Sequence, residues 1–239
     1  MSPVPRWSFR PRLVTTAAAV GFCALFVLLG NWQLRRAAEK EALEAERAAQ
    51  SRAAPVLLPA RAIDGAAWAW RRVVARGEFV ARRTVFLDNR TRDGRPGYEV
   101  VTPLRLAGDD QYVLVNRGWI AQTGGRAALP EVRTPSGPVR LDGIAVVPPE
   151  GVFTLGEPAP GERVWQHLDL ARYHRWSGLS LLPIVVLQTS DADDGLLRRW
   201  PAPDSGAEKH RAYALQWYIF ASLTVVLYVA LNFKRLRGG

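Results

Sequence analysis

Imidazole and thiol side chains, the commonest ligands of transition metals, are few in this chain of 239 residues. They are three histidines, His167, His174 and His210, and a single cysteine, Cys23. Cys23 sits inside an uncharged apolar run, so the polar remainder has no thiolate for a metal and no disulfide. Met1 is the sole methionine, whereas a Cu(I) carrier wants clusters of soft sulfur ligands. A structural zinc site would have only the three histidines to draw on. The sequence contains no GxxxxGK(S/T), HExxH or GxSxG, so P-loop, zincin and hydrolase-elbow chemistries lack their starting residues. No nucleophile–base pair or metal cluster is visible either, and the expectation is a protein that is not an enzyme.

His210 has the most telling neighbours. Placed on a helix, His210, Tyr213, Ala214, Trp217, Ala221, Thr224 and Tyr228 share one face. His210 lies at the boundary of an apolar stretch, where a neutral imidazole can lend a lone pair to a metal. Two plainer readings compete. His210 could mark a membrane interface together with Lys209 and Arg211. The small residues of that face could serve only to let two helices pack, as Ala17-xxx-Gly21 would on another helix. His167 and His174 read as ordinary sheet and surface residues.

The elements that must position His210 are two uncharged apolar runs, Leu13–Gly30 and Tyr213–Leu231. Each is long enough to cross a hydrocarbon core of about 30 Å at about 1.5 Å per residue. Arg6, Arg10 and Arg12 precede the first run, and Lys234, Arg235 and Arg237 follow the second. No Asp or Glu occurs among residues 1–12 or 232–239 to oppose them. The positive-inside rule therefore predicts both termini in the cytoplasm and the long middle segment on the other side. The net charge of +10 is then mostly a topology signal, and a nucleic-acid partner is not expected. The first run could instead be a cleaved signal peptide. The residues at its end, Leu28-Leu29-Gly30-Asn31-Trp32, make a poor cleavage site, and Trp32 suits an interfacial anchor. Arginine far outnumbers lysine and alanine is abundant, a compositional hint of a bacterial source, and so of a bacterial inner membrane.

The middle segment changes period along its length. Ala37–Ala54 is rich in Ala, Glu and Arg and predicts a helical extension of the first membrane helix, ended by Pro55 and Pro59. From Arg71 apolar and polar residues alternate, as in a half-buried strand. Further strands are expected at Thr84–Asn89, Tyr98–Leu106, Gln111–Arg117, Val139–Val147, Val164–Leu168 and Pro183–Thr189. Pro103 argues that its strand lies at an edge or a bulge. A short helix fits Asp169–Trp176, and Ala121–Pro138 and Pro148–Gly161 read as loops. The fold class expected is a membrane protein. Two transmembrane helices flank an extracytoplasmic, mostly antiparallel β domain, a small sandwich or barrel, with one short helix. Its segments are a cytoplasmic N-terminus (1–12), membrane helix 1 (13–30), a helical extension (31–54), the β-rich domain (55–212), membrane helix 2 (213–231) and a cytoplasmic C-terminus (232–239).

Four motifs on this frame resemble a known pattern. Gly30-Asn31-Trp32-Gln33-Leu34-Arg35-Arg36 resembles the GxWQxxR signature of the Surfeit locus protein 1 (Shy) family. The segments 97–104 (GYEVVTPL) and 113–120 (VLVNRGWI) are similar to that family's GYxVxTPL and VLVNRGW motifs. The segment 210–218 (HRAYALQWY) is similar to its HxxYAxQWF motif. The resemblance spans nearly the whole chain in order, and carries nothing over to residues 121–138 or 192–207.

The resemblance implies an assembly factor for haem-copper terminal oxidases, which assists placement of haem a in the large oxidase subunit. Haem a would be a transient cargo. The implied partners are oxidase subunit I, the haem a synthase and membrane lipid. The implied axial ligand of the haem iron is His210. Ala214 and Ala221 would leave room for a flat macrocycle, with Trp217 and Tyr213 beside it. Trp32 and Gln33 would cover its edge, and Arg35 would pair with a propionate. Against this, Trp32 could be only a belt residue and Arg35 only solvated. For Asn116–Trp119 the preferred reading is a strand end with Trp119 in the core. A haem-free membrane chaperone for a subunit I intermediate is the alternative function.

Overall fold

A long apolar run followed by Ala, Glu and Arg makes one helix, not two. The computed structural model describes residues 7–123, 129–149, 163–200 and 206–235. It divides into two units, residues 1–46 with 202–239, and residues 47–201. The first unit is built on α1 (Leu13–Arg52) and α4 (Ala207–Asn232), of 40 and 26 residues. Both are long and apolar enough to cross a membrane. The good helix formers after Trp32 let α1 run on without a break, and it stops three residues before Pro55. A short ribbon joins the outer ends of these helices. In it β1 (Trp7–Phe9) pairs antiparallel with β10 (Phe233–Arg235).

The second unit is a closed barrel. Its strands are β2 (Val56–Leu57), β3 (Arg72–Phe79), β4 (Val85–Arg92), β5 (Arg95–Leu106), β6 (Tyr112–Ala121), β7 (Pro138–Val146), β8 (Val164–Trp165) and β9 (Leu181–Gln188). Its short helices are α2 (Gly65–Trp68) and α3 (Leu170–Ser177). Hydrogen bonding runs β3-β7-β9-β6-β5, and β5 then pairs with β3 to close five strands into a ring. Most contacts are antiparallel, but β6–β9 is a parallel seam. Barrel and sandwich were both open from the alternation alone, and the β3–β5 pairing decides for a barrel.

Period-two burial fills the interior with Val73, Ala75, Val113, Val115, Leu141, Leu182, Ile184 and Val186. The outer face of β5, β6 and β9 is covered separately. There Val101, Leu114 and Val185 pack with Trp165 and Tyr173, the latter from α3. Two glycines show how tight the ring is. A Cβ at Gly77 would lie 1.9 Å from the Arg105 carbonyl oxygen, and one at Gly143 would lie 2.4 Å from Val186 Cγ1.

Pro103 fits for a specific reason. The long β5 pairs with β4 as far as Val101 and with β3 from Leu104 onward. Pro103 sits where the strand changes partner, so its missing N–H breaks no ladder. The expected loop at 148–161 lies outside the described residues from position 150 on.

Candidate functional site

The two helices of the first unit run antiparallel and touch along a ladder of side chains. Thr16 Oγ1 and the Tyr228 hydroxyl are 2.7 Å apart near one end. The Cys23 thiol points to the Ala221 carbonyl at 3.6 Å. Phe26 stacks on Trp217 with centroids 5.9 Å apart and planes at 21°. Gly30 lies against the ring of Tyr218, which a Cβ would meet at 2.8 Å. The Tyr218 hydroxyl donates to Asn31 Oδ1 at 2.7 Å.

The contact that matters most for chemistry follows. His210 Nδ1 lies 2.7 Å from Gln33 Oε1. An amide oxygen only accepts, so the bond is donated by Nδ1–H; in a neutral imidazole that donates there, the lone pair is on Nε2. That is the tautomer of a metal-binding histidine whose other nitrogen is held by an acceptor. Arg211, next to His210 in the chain, reaches Glu41 Oε1 with Nη2 at 2.7 Å, with both side chains exposed.

The other residues singled out for this site sit around that contact without joining it. Trp32 and Tyr213 are about half exposed, at 46% and 53%. Arg35 is exposed and has no ion-pair partner among the described residues. It lies one helical turn from Trp32, on the side of α1 away from Gln33. Trp217 is half-buried, with one face on Phe26 and its edge against Phe220. Ala214 and Ala221 are buried at 1% and 9% exposure, so the room expected there for a flat macrocycle is taken by helix packing. His167 and His174 stay apart, the latter with Nδ1 2.7 Å from the Leu179 carbonyl oxygen.

In the barrel the motif residues have structural partners. Asn116 Nδ2 donates to Glu99 Oε2 at 2.9 Å, and Glu99 also faces Arg90 and Arg92. Trp119 is 4% exposed and its indole N–H donates to the Arg90 carbonyl, which matches the core reading. Arg117 is 1% exposed. Its Nη2 donates to Asp194 Oδ2 at 2.9 Å, and Arg198 reaches the same oxygen at 2.5 Å. Burial pushes the Arg117 guanidinium below its ordinary pKa, and the hydrogen bond and charge of Asp194 pull it back. Burial also raises the Tyr173 phenol well above its ordinary value, while its hydroxyl donates to the Arg83 carbonyl.

The pairing of the four motifs is the deciding pattern. Residues 97–104 and 113–120 lie side by side on β5 and β6, with Val101 opposite Asn116. Residues 30–36 and 210–218, far apart in sequence, meet between α1 and α4. A family model described as the SURF1 family matches residues 20–222. The chain belongs to the SURF1 family. Among curated relatives, a SURF1-like protein of Monosiga brevicollis is 26% identical over 223 residues, covering 88% of this chain and 84% of the relative. The Surfeit locus protein 1 of Mus musculus is 27% identical over 217 residues, covering 84% and 70%. The cytochrome oxidase assembly protein SHY1 of Saccharomyces cerevisiae is 28% identical over 166 residues, covering 66% and 43%. Sequence reasoning had set Gln33 at a haem edge; its role as the partner of His210 needed the fold. Asp194 and Arg198 had no signal at all, because they lie in a loop without periodicity.

Proposed function

We propose that this SURF1-family member is a non-enzymatic assembly factor for a haem-copper terminal oxidase, with haem a as transient cargo. It sits in a bacterial inner membrane with both termini cytoplasmic, and docks to oxidase subunit I and to the haem a synthase. The observation that carries this reading is the His210–Gln33 hydrogen bond, which leaves Nε2 as the nitrogen able to coordinate iron. Bound there, haem would bring redox-active iron, while the protein binds and orients it. Exposed Arg35 supplies a charge for a propionate, and Trp32, Tyr213 and Trp217 supply aromatic surface. Since Ala214 and Ala221 are covered, the residues that would hold the group are His210 and its exposed neighbours.

The purified full chain, from cells that make haem a, should show haem a bands in its reduced-minus-oxidised spectrum. His210→Ala should abolish them, and Gln33→Leu should weaken and shift them. Bands that survive His210→Ala would sink the ligand assignment. The burial of Ala214 and Ala221 supports a second reading, a haem-free chaperone for a subunit I intermediate. Absence of haem from the wild type, with subunit I still co-purifying, would favour it.

A further inference from the structure

The ribbon at the outer ends of α1 and α4 brings together charges that lie more than 200 residues apart. Trp7 pairs with Arg235, Ser8 with Lys234 and Phe9 with Phe233. The Arg10 amide donates to the Asn232 carbonyl at 2.9 Å and continues the pairing. Arg12 opens α1, and its carbonyl accepts from the hydroxyls of Thr15 and Thr16 at 2.9 Å. The register therefore sets Arg10 opposite Asn232, and the backbones of Arg10, Arg12, Lys234 and Arg235 come to the same end of the helix pair. The sequence has no Asp or Glu among residues 1–12 or 232–239 to neutralise them.

An apolar anchor backs this cationic cluster. Phe9 and Phe233 have centroids 5.5 Å apart, and Phe9 meets Tyr228 edge-on at 6.0 Å. Phe9 and Phe233 nevertheless stay exposed, at 44% and 46%. Exposed aromatics beside arginines at the end of a membrane-length helix pair suit the headgroup level, where rings contact acyl chains and guanidinium groups meet phosphates.

We propose that the β1–β10 ribbon is a binding site for the phosphate headgroups of anionic phospholipids. Orienting the chain in the membrane needs only the charge of each tail. The ribbon adds convergence, because two tails that could each spread over the surface are held at one place. Each basic residue near an anionic surface strengthens binding about fivefold, and the attraction weakens steeply with salt.

The test uses the full chain in neutral detergent, titrated with a fluorescent phosphatidylglycerol and, separately, a fluorescent phosphatidylcholine. Phosphatidylglycerol should bind at least tenfold more tightly, and more weakly as salt is raised. Arg10→Gln with Arg12→Gln should cost about twentyfold for phosphatidylglycerol. Lys234→Gln with Arg235→Gln should cost a similar factor, and guards against a defect confined to the start of α1. Arg52→Gln, at the other end of α1, should change nothing. Phe9→Ser, which keeps every charge but weakens the ribbon, should cost severalfold. Equal affinity for both lipids would overturn the proposal, as would indifference to either double substitution or to Phe9→Ser. Full competition by millimolar inorganic phosphate would also overturn it, since the site would then take a soluble anion.

Discussion

The barrel and the helix pair keep their polar residues for opposite purposes. In the barrel, Arg117, Asp194 and Asn116 are buried and each is held by named partners. In the helix pair only 6% of the apolar window of α1 and 11% of that of α4 is buried. His210 is only half-buried there, and Arg35 and Tyr213 face outward. Motif residues of one family thus divide into those buried with partners in the fold and those left exposed. The recurrence of a residue in a motif does not say which it is. Burial and partners do.

That contrast can be broken most severely at Asp194. Asp194→Ala would leave the guanidinium groups of Arg117 and Arg198 buried without their shared carboxylate, at a cost of about 3–5 kcal/mol. Urea unfolding of the full chain, followed by tryptophan fluorescence, should show it. A loss under about 1 kcal/mol would mean that the cluster is not structural.

A smaller effect comes from alkali. Burial raises the Tyr173 pKa in the folded state above its unfolded value of 10.0. Below that unfolded value the phenol is protonated in both states and stability is unaffected. Above it the unfolded chain loses the proton first, so this group's contribution falls by about 1.4 kcal/mol per pH unit. Tyr173→Phe should flatten that alkaline slope in urea unfolding between pH 9 and pH 11, both values chosen to bracket about 10. The smallest effect belongs to the helix pair. Tyr228→Phe removes the bond to Thr16 and should weaken helix association by about 0.6 kcal/mol. Energy transfer between dyes on α1 and α4 during SDS titration reads this, and the urea midpoint of the barrel should not move.

Much of this division was legible in the sequence. The strand alternation from Arg71, the break at Pro55 and the two apolar runs follow from local rules, and the structure follows them too. Contacts across long separations were not. His210 and Gln33 are 177 residues apart, and only the packing of α1 on α4 makes them partners. Arg117 meets an aspartate 77 residues later, in a segment without periodicity. The ribbon strands have three residues each, too short for any periodic signal. Pro103 was legible as a constraint but not as a switch point, because nothing local reveals that one strand serves two partners.

The parallel seam sets the order in which the chain can acquire its shape during synthesis. Strand β9, Leu181–Gln188, lies between β7 and β6, both of which leave the ribosome before it. Until β9 arrives the ring lacks a stave, and β6 and β7 each present an open edge. Such edges invite wrong pairing, and a parallel closure over a long loop is slow. The nascent domain therefore waits, unsealed, through the synthesis of every residue between Val146 and Leu181. In that interval the open edges of β6 and β7 are what wrong pairing would use.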